Sequence, residues 1–267
     1  MRRKFFGCYL KCQSDTKSLA VIPAIHGKTC SVQLITDDGA WNFTKELGLC
    51  RFSNDGFALD LYGDGISVVG TVKFGPFTPP GYDVMGPFRY VPFLQCRHGV
   101  LSMLHRVDGT VYINGIPYVF SNAQGYIEGD RGCSFPSAYA WTQTFFDGGS
   151  LMCSVAELPF AGLHFTGVIA VILYRGKEYR LATYLGARAV KKENGEIVIR
   201  QGDYTFSAKL LEKNAQVLHA PVNGKMLRTI RESAACRAAY RLEKGGKLLF
   251  AFETDRASFE FEYGGEP

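Results

Sequence analysis

No stretch of this chain carries the roughly 18 consecutive apolar residues that a membrane-spanning helix requires, so no span is expected. At the amino end, Arg2, Arg3 and Lys4 precede only Phe5-Phe6-Gly7-Cys8-Tyr9-Leu10 before Lys11. That apolar run is too short for a secretory leader and lacks a small-residue cleavage site, which points to a cytoplasmic protein. Basic residues are scattered, and the net charge is only +5 over 267 residues. A nucleic-acid partner calls for a basic stripe or face, and none is present. Histidine is scarce, at five residues. Eight cysteines are present, but Cys8 and Cys12 are the closest pair and no histidine lies near them, so their spacing supports no metal site. In a reducing compartment they are expected to stay thiols, most of them as buried apolar residues. No serine sits in a Gly-x-Ser-x-Gly elbow. Gly63-Asp64-Gly65 lacks the third glycine of a dinucleotide loop. Neither a metal nor an organic cofactor is expected. His98 and His105 are read as satisfied structural residues.

What is present is an ordinary globular composition, 46% hydrophobic and 21% charged. It suffices for one large domain or two of about 130 residues. No long segment shows a clean 3.6-residue period. Turn dipeptides recur instead: Asp38-Gly39, Asp55-Gly56, Asp64-Gly65, Asp108-Gly109, Asn114-Gly115, Asn194-Gly195 and Gly245-Gly246. Such pairs accept the positive φ that tight hairpins need. Between them run β-branched and aromatic segments, and Phe259-Glu-Phe-Glu-Tyr263 alternates strictly, as a strand with two unlike faces does. The Ala- and Arg-rich segment from Lys225 to Leu242 is the best helix candidate. Its alternation and the Gly-Gly pair that follows predict a strand.

The two halves repeat. Gly56 and Gly63 recur 139 residues on as Gly195 and Gly202. Ser18-Leu19 matches Ser150-Leu151, Val32–Trp41 resembles Ala170–Tyr179, and Leu101–Ile113 around Asp108-Gly109 resembles Ala238–Phe250 around Gly245-Gly246. Each half is expected to be an antiparallel meander of eight to ten strands, the size of a lipocalin-type barrel. The expected fold is all-β, two tandem lipocalin-like antiparallel β-barrels, with domains 1–129 and 130–267 and a pocket near their junction. Two elements find no counterpart: the Pro/Gly loop from Gly75 through Gly81 to Gly86-Pro87, and the crossover between the halves.

The midpoint holds Gly125-Tyr126-Ile-Glu128-Gly-Asp130-Arg131-Gly132-Cys-Ser134-Phe135-Pro136-Ser-Ala-Tyr139-Ala-Trp141-Thr-Gln143-Thr144-Phe145. This stretch resembles the signature of the tocopherol cyclase family. Tyr126, Glu128, Asp130, Gly132, Ser134, Phe135, Pro136, Trp141, Gln143 and Phe145 match it. Arg131 and Tyr139 stand where the family has tryptophans, and Thr144 stands for an asparagine. The resemblance implies the tandem lipocalin-like fold and an intramolecular cyclisation. An alkene of a prenylated quinol or related isoprenoid lipid is protonated, and the quinol oxygen then captures the tertiary cation. The implied catalytic residues are Glu128 and Asp130, either of which can serve as the proton donor. Tyr126, Arg131, Phe135, Tyr139, Trp141 and Gln143 are the implied ligand-binding residues.

That chemistry needs a carboxyl still protonated near neutral pH, which burial in an apolar cup can produce. It also needs electron-rich rings beside the cation, for which Trp141, Tyr126, Tyr139 and Phe135 qualify. Glu128 is placed at the end of the last strand of the first half, with Glu262 as its approximate counterpart. Asp130 and Arg131 are placed in the crossover, and Arg131 would oppose the chemistry if it faced the pocket. Gln143 shares a face with Trp141 and Phe145, and as a buried amide needs partners, for which Glu128 or Asp130 are candidates. The same acidic-Arg-Gly stretch equally suits a salt bridge between two domains. Arg228 and Glu232 fall on one strand face, as a cross-strand charge pair would. The expected partner is a small apolar or isoprenoid ligand, with at most transient membrane-surface contact. A non-catalytic carrier of such a ligand is the alternative, and a purely structural module with filled barrels is a third.

Overall fold

The computed structural model describes residues 4–44, 50–63, 65–92, 94–160, 163–212 and 214–264. Among these there is no α-helix, and the only helical pieces are short 3-10 turns at Gly86–Tyr90 and Thr183–Leu185. No helix there is long and apolar enough to cross a membrane.

The first sheet comprises β1 (Phe5–Gln13), β2 (Ser18–His26), β3 (Thr29–Thr36), β4 (Ala40–Phe43), β5 (Cys50–Ser53), β6 (Gly56–Gly63), β7 (Ile66–Phe74), β8 (Cys96–Ile113) and β9 (Ile116–Gly132). The second comprises β10 (Tyr139–Phe146), β11 (Gly149–Phe160), β12 (Leu163–Tyr174), β13 (Lys177–Ala182), β14 (Arg188–Glu193), β15 (Glu196–Gln201), β16 (Tyr204–Glu212), β17 (Gln216–Val222), β18 (Lys225–Lys244) and β19 (Lys247–Phe261). Their orders are β4-β3-β2-β1-β9-β8-β7-β6-β5 and β13-β12-β11-β10-β19-β18-β16-β15-β14, with β17 paired to β18 off the path. These are the same path, so the halves share one antiparallel topology. Each sheet curls until its ends approach, β4 against β6 and β13 against β15. The Lys225–Leu242 segment is a strand, as its alternation predicts.

Local chemistry sets the turns. Asn114-Gly115, Asn194-Gly195 and Gly245-Gly246 all take positive φ at both positions, the twist-matched geometry of two-residue hairpins. Asp64 lies outside the described residues. Asp108-Gly109 is not a hairpin turn. It forms a bulge within the β8–β9 ladder, where the register shifts between Val107 and Gly109. A Cβ at Gly109 would lie 2.2 Å from the Thr71 carbonyl oxygen, so glycine is needed there for strand approach and not for chain reversal. The counterpart of Gly245-Gly246 is therefore Asn114-Gly115.

Three apolar clusters result. One fills the first barrel and includes Leu10, Cys12 and Ile127. One fills the second and includes Ala140, Cys153 and Phe259. The third lies between the barrels and takes the alternate residues of the same strands, Tyr9, Tyr126, Trp141 and Phe145. Strand alternation thus turns one face of β1, β9 and β10 into its own barrel and the other face towards the neighbouring barrel.

The Pro/Gly loop does have a counterpart. It joins β7 to β8, the seventh and eighth strands of its sheet, and the β16–β18 connection carrying β17 occupies the same place in the other. Each reaches across to the opposite barrel. Arg180 of β13 donates to the carbonyls of Tyr82 and Asp83, at 3.0 Å each. Gln33 of β3 exchanges hydrogen bonds of 2.9 and 2.8 Å with the His219 backbone of β17.

Candidate active site between the barrels

The crossover is shorter than the sequence suggests. Strand β9 continues through Asp130 and Arg131 to Gly132, pairing Asp130 with Gly7 of β1 and His98 of β8. Tyr126, Glu128 and Asp130 therefore share the face towards the second barrel. Arg131 falls on the opposite face and is exposed. It lines no part of the cavity described below, and alternation is the reason.

Glu128 is 5% exposed. Its Oε2 accepts the Tyr126 hydroxyl at 2.5 Å and the Trp141 indole Nε1–H at 3.1 Å. The His98 Nε2 lies 3.3 Å from the same oxygen, and His98 Nδ1 lies 3.1 Å from Asp130 Oδ1. Burial disfavours a charged imidazole, but the Glu128 and Asp130 carboxylates outweigh it and raise the His98 pKa well above its ordinary value. His98 is thus a buried ring held between two acids that favour its protonated form. His105 does not meet it. That ring accepts or donates a 3.0 Å contact with Ser102 Oγ and packs on Phe74 and Phe77, and burial lowers its pKa to about 4.

The second barrel contributes two more acids. Trp141 of β10 pairs with Glu260 of β19 as Tyr9 of β1 pairs with Glu128 of β9, so the counterpart of Glu128 is Glu260, not Glu262. Glu260 accepts the Tyr139 hydroxyl. Its cross-strand partner is Glu232 of β18. Glu232 is 2% exposed and forms no pair with Arg228, whose guanidinium goes to Glu262 at 2.9 Å and to the Pro136 carbonyl at 2.6 Å. Burial raises the Glu232 pKa to about 7. Burial and the neighbouring Glu232 charge raise that of Glu260 well above the carboxylate range.

These groups border one cavity of about 170 Å³ at the barrel junction. Glu128, Asp130, His98, Glu232 and Glu260 line it, as do Tyr139, Trp141 and Phe135. Much of the rest of its wall is apolar, from Phe5, Ile22, Phe88, Leu94, Leu158 and Ile230, with Gln33, Ser154, Thr183 and His219 among the polar exceptions. Both straps contribute, the first through Met85 and Phe88 and the second through Leu218 and Pro221. Tyr126 lies behind Glu128 and supports it. Gln143 is fully buried, lines no part of this cavity, and neither amide atom has a hydrogen-bond partner.

Among the described residues, His98, Glu128 and Asp130 are the group whose ligand atoms lie together, within 4.8 Å. Sequence reasoning passed over Tyr9, Lys11, His98 as a charged group and Glu260, and gave Glu232 only to a charge pair with Arg228. The Ser18–Ser150 match carried a usable signal. Its offset of 132 places Tyr9 on Trp141 and Lys11 on Gln143, the pairing that the strand registers show.

No protein-family model and no curated protein matches the sequence. Solved structures match in fold. Kievitone hydratase from Nectria haematococca aligns with a TM-score of 0.55 at 10% identity, over 97% of this chain and 88% of that one. CghA aligns with a TM-score of 0.61 at 9% identity, over 99% and 89%. CghA with Sch210972 aligns with a TM-score of 0.57 at 9% identity, over 97% and 88%. The fold is the tandem lipocalin-like β-barrel pair of these proteins.

Proposed function

We propose that this chain is a tocopherol cyclase-like enzyme. In this reading it protonates an alkene of a prenylated quinol or related isoprenoid lipid in the inter-barrel cavity, and the lipid's own hydroxyl closes the ring. The observation that carries the reading is the placement of buried acids with raised pKa values on the wall of a largely apolar, aromatic-lined cavity. Protonating an alkene demands a proton donor that is neutral near pH 7, and Glu232, at about 7, meets that demand. Moving a glutamate that far from its ordinary value costs about 3 kcal/mol of ionisation free energy, within what desolvation supplies. Trp141, Tyr139 and Phe135 present ring faces and edges to a cationic intermediate. Phe135 meets Phe5 and Tyr139 edge-on, with centroids 5.6 and 6.1 Å apart, which keeps these rings in place.

The signature resemblance supports the same reading, because Glu128, Asp130, Phe135, Tyr139 and Trp141 converge on one cavity. A hydratase among the structural neighbours supports it too. Adding water to an alkene and closing a ring with an internal hydroxyl both begin with proton addition. Glu128 and Asp130 act in this reading as carboxylates that hold His98 and receive protons.

The test is incubation of the purified chain with prenylated hydroquinones bearing one to four isoprene units. The expected product is the ring-closed isomer, of unchanged mass and with one fewer free hydroxyl. Glu128→Gln is expected to lower its rate by about 10²–10⁴-fold, the usual contribution of a positioned acid–base group. Quinols that bind and are recovered unchanged would instead establish a carrier.

A further inference from the structure

Two carboxyl groups facing each other across a strand pair, in an apolar setting, cannot both ionise at neutral pH. Glu232 and Glu260 are such a pair, directly opposed on β18 and β19 and both lining the cavity. We propose that they hold one proton between them and are the proton donor to the substrate, and that Glu128 is the group that receives the hydroxyl proton at ring closure. This rests on the cyclisation reading above.

The hydrogen bonds divide the roles. Glu128 Oε2 is surrounded by the Tyr126 hydroxyl, the Trp141 indole and His98. Two of these, Tyr126 and Trp141, donate hydrogen bonds to that one oxygen. Glu260 receives the single Tyr139 hydroxyl. Glu232 Oε1 is buried without any hydrogen-bond partner, on a residue 98% removed from solvent that borders the cavity. An unpartnered buried carboxyl oxygen is costly unless something else meets it. Glu232 borders the cavity in which a substrate would sit. The groups acting on the pair from neighbouring strands are Tyr9 and Lys11 of β1, Glu128 of β9 and Tyr139 of β10.

The step balances. The O–H bond of the pair breaks as a C–H bond forms at the less substituted alkene carbon, and the π electrons of the alkene supply the new bond. The tertiary cation takes a lone pair from the substrate hydroxyl oxygen, forming C–O. The hydroxyl proton passes to Glu128, and return of one proton from Glu128 to the pair through solvent restores the enzyme. No atom or electron is gained or lost overall, so no oxidant or co-substrate is required.

The test is an infrared titration of carboxylic acid C=O absorption on the full chain, with no substrate present. Wild type is expected to keep a protonated-carboxyl band at pH 6 that titrates away near pH 7 and above. Glu128→Gln should retain it, and the Glu232→Gln/Glu260→Gln double variant should lack it. Tyr139→Phe removes the donor to Glu260 and should move the titration to higher pH, which keeps the test open if the double variant does not fold. Each single glutamine variant should also slow cyclisation of a prenylated hydroquinone by about 10²-fold or more. A band that survives in the double variant, or disappears in Glu128→Gln, places the proton elsewhere and overturns the proposal. The expected band in a protein that cyclises none of the hydroquinones supports the shared proton and overturns only the cyclisation reading.

Discussion

Lys11 is 1% exposed, donates to the Arg256 carbonyl at 3.2 Å and lies 5.7 Å over the Phe145 ring. Burial lowers its pKa from 10.5 to about 7, despite nearby Cys236, Glu232 and Asp37. Between pH 7 and 10.5 the unfolded chain binds this proton and the folded chain does not, so stability from this site rises with pH over that window. The penalty near neutrality is on the order of 4–5 kcal/mol. Lys11→Met keeps the apolar stem and removes the charge. It should melt several degrees above wild type at pH 7, with the gap closing towards pH 10. Melting curves at both pH values check this, and an equal gap at each would contradict it. Legibility at this scale followed side-chain alternation. Tyr126, Glu128 and Trp141 could be placed together because each lies two residues from the next in its own strand pattern or opens the following strand. Glu232, Glu260 and Lys11 could not, because what joins them is register across strands, which no local pattern states. Gln143 was correctly placed on the Trp141 face, but the candidate partners Glu128 and Asp130 were engaged by other groups.

Hairpin chemistry made the elements readable. Asparagine-glycine pairs mark turns because both residues tolerate positive φ, and the alternating β18 read as a strand despite its helix-favouring alanines and arginines. The misread element, Asp108-Gly109, has the composition of a turn and the geometry of a bulge, and only the neighbouring strand distinguishes the two. The two straps were half legible: a Pro/Gly loop of that length predicts a cover, but not which barrel it covers. Arg180 anchors the first strap. Its side chain is 5% exposed, donates to the Tyr82 and Asp83 carbonyls and the Tyr184 hydroxyl, and stacks 3.6 Å from the Tyr82 ring centroid. Charged hydrogen bonds of this kind contribute about 1.5–3 kcal/mol each. Arg180→Ala should lower the melting temperature and speed amide exchange at residues 84–90 while leaving the β18–β19 ladder protected. Uniform loss of protection through both sheets would show that the strap is not a separately anchored unit.

As a whole the molecule is a duplicated barrel whose candidate site lies outside both barrel interiors. Each interior is filled by its own apolar cluster, and the third cluster and the cavity occupy the junction. The strand order of the halves and the lipocalin-like architecture followed from the repeat. A pocket near the junction was expected too, but not that its walls are the outward faces of β1, β9 and β10, because alternation separates two faces without saying which one a barrel encloses. The two barrels contribute unequal acids at matched positions, Glu128 on one side and Glu260 with Glu232 on the other. In the proposed reaction that asymmetry separates a proton donor from a proton acceptor. The central claim is that an alkene is protonated from a carboxyl whose proton exchanges with solvent. Cyclisation of a prenylated hydroquinone in deuterium oxide, followed by mass spectrometry of the product after back-exchange in ordinary water, tests this directly. The account predicts a ring-closed product carrying one non-exchangeable deuterium on the former alkene carbon, formed by wild type and lost in Glu232→Gln and Glu260→Gln. A ring-closed product without carbon-bound deuterium, or no product at all from any quinol that binds, would contradict it.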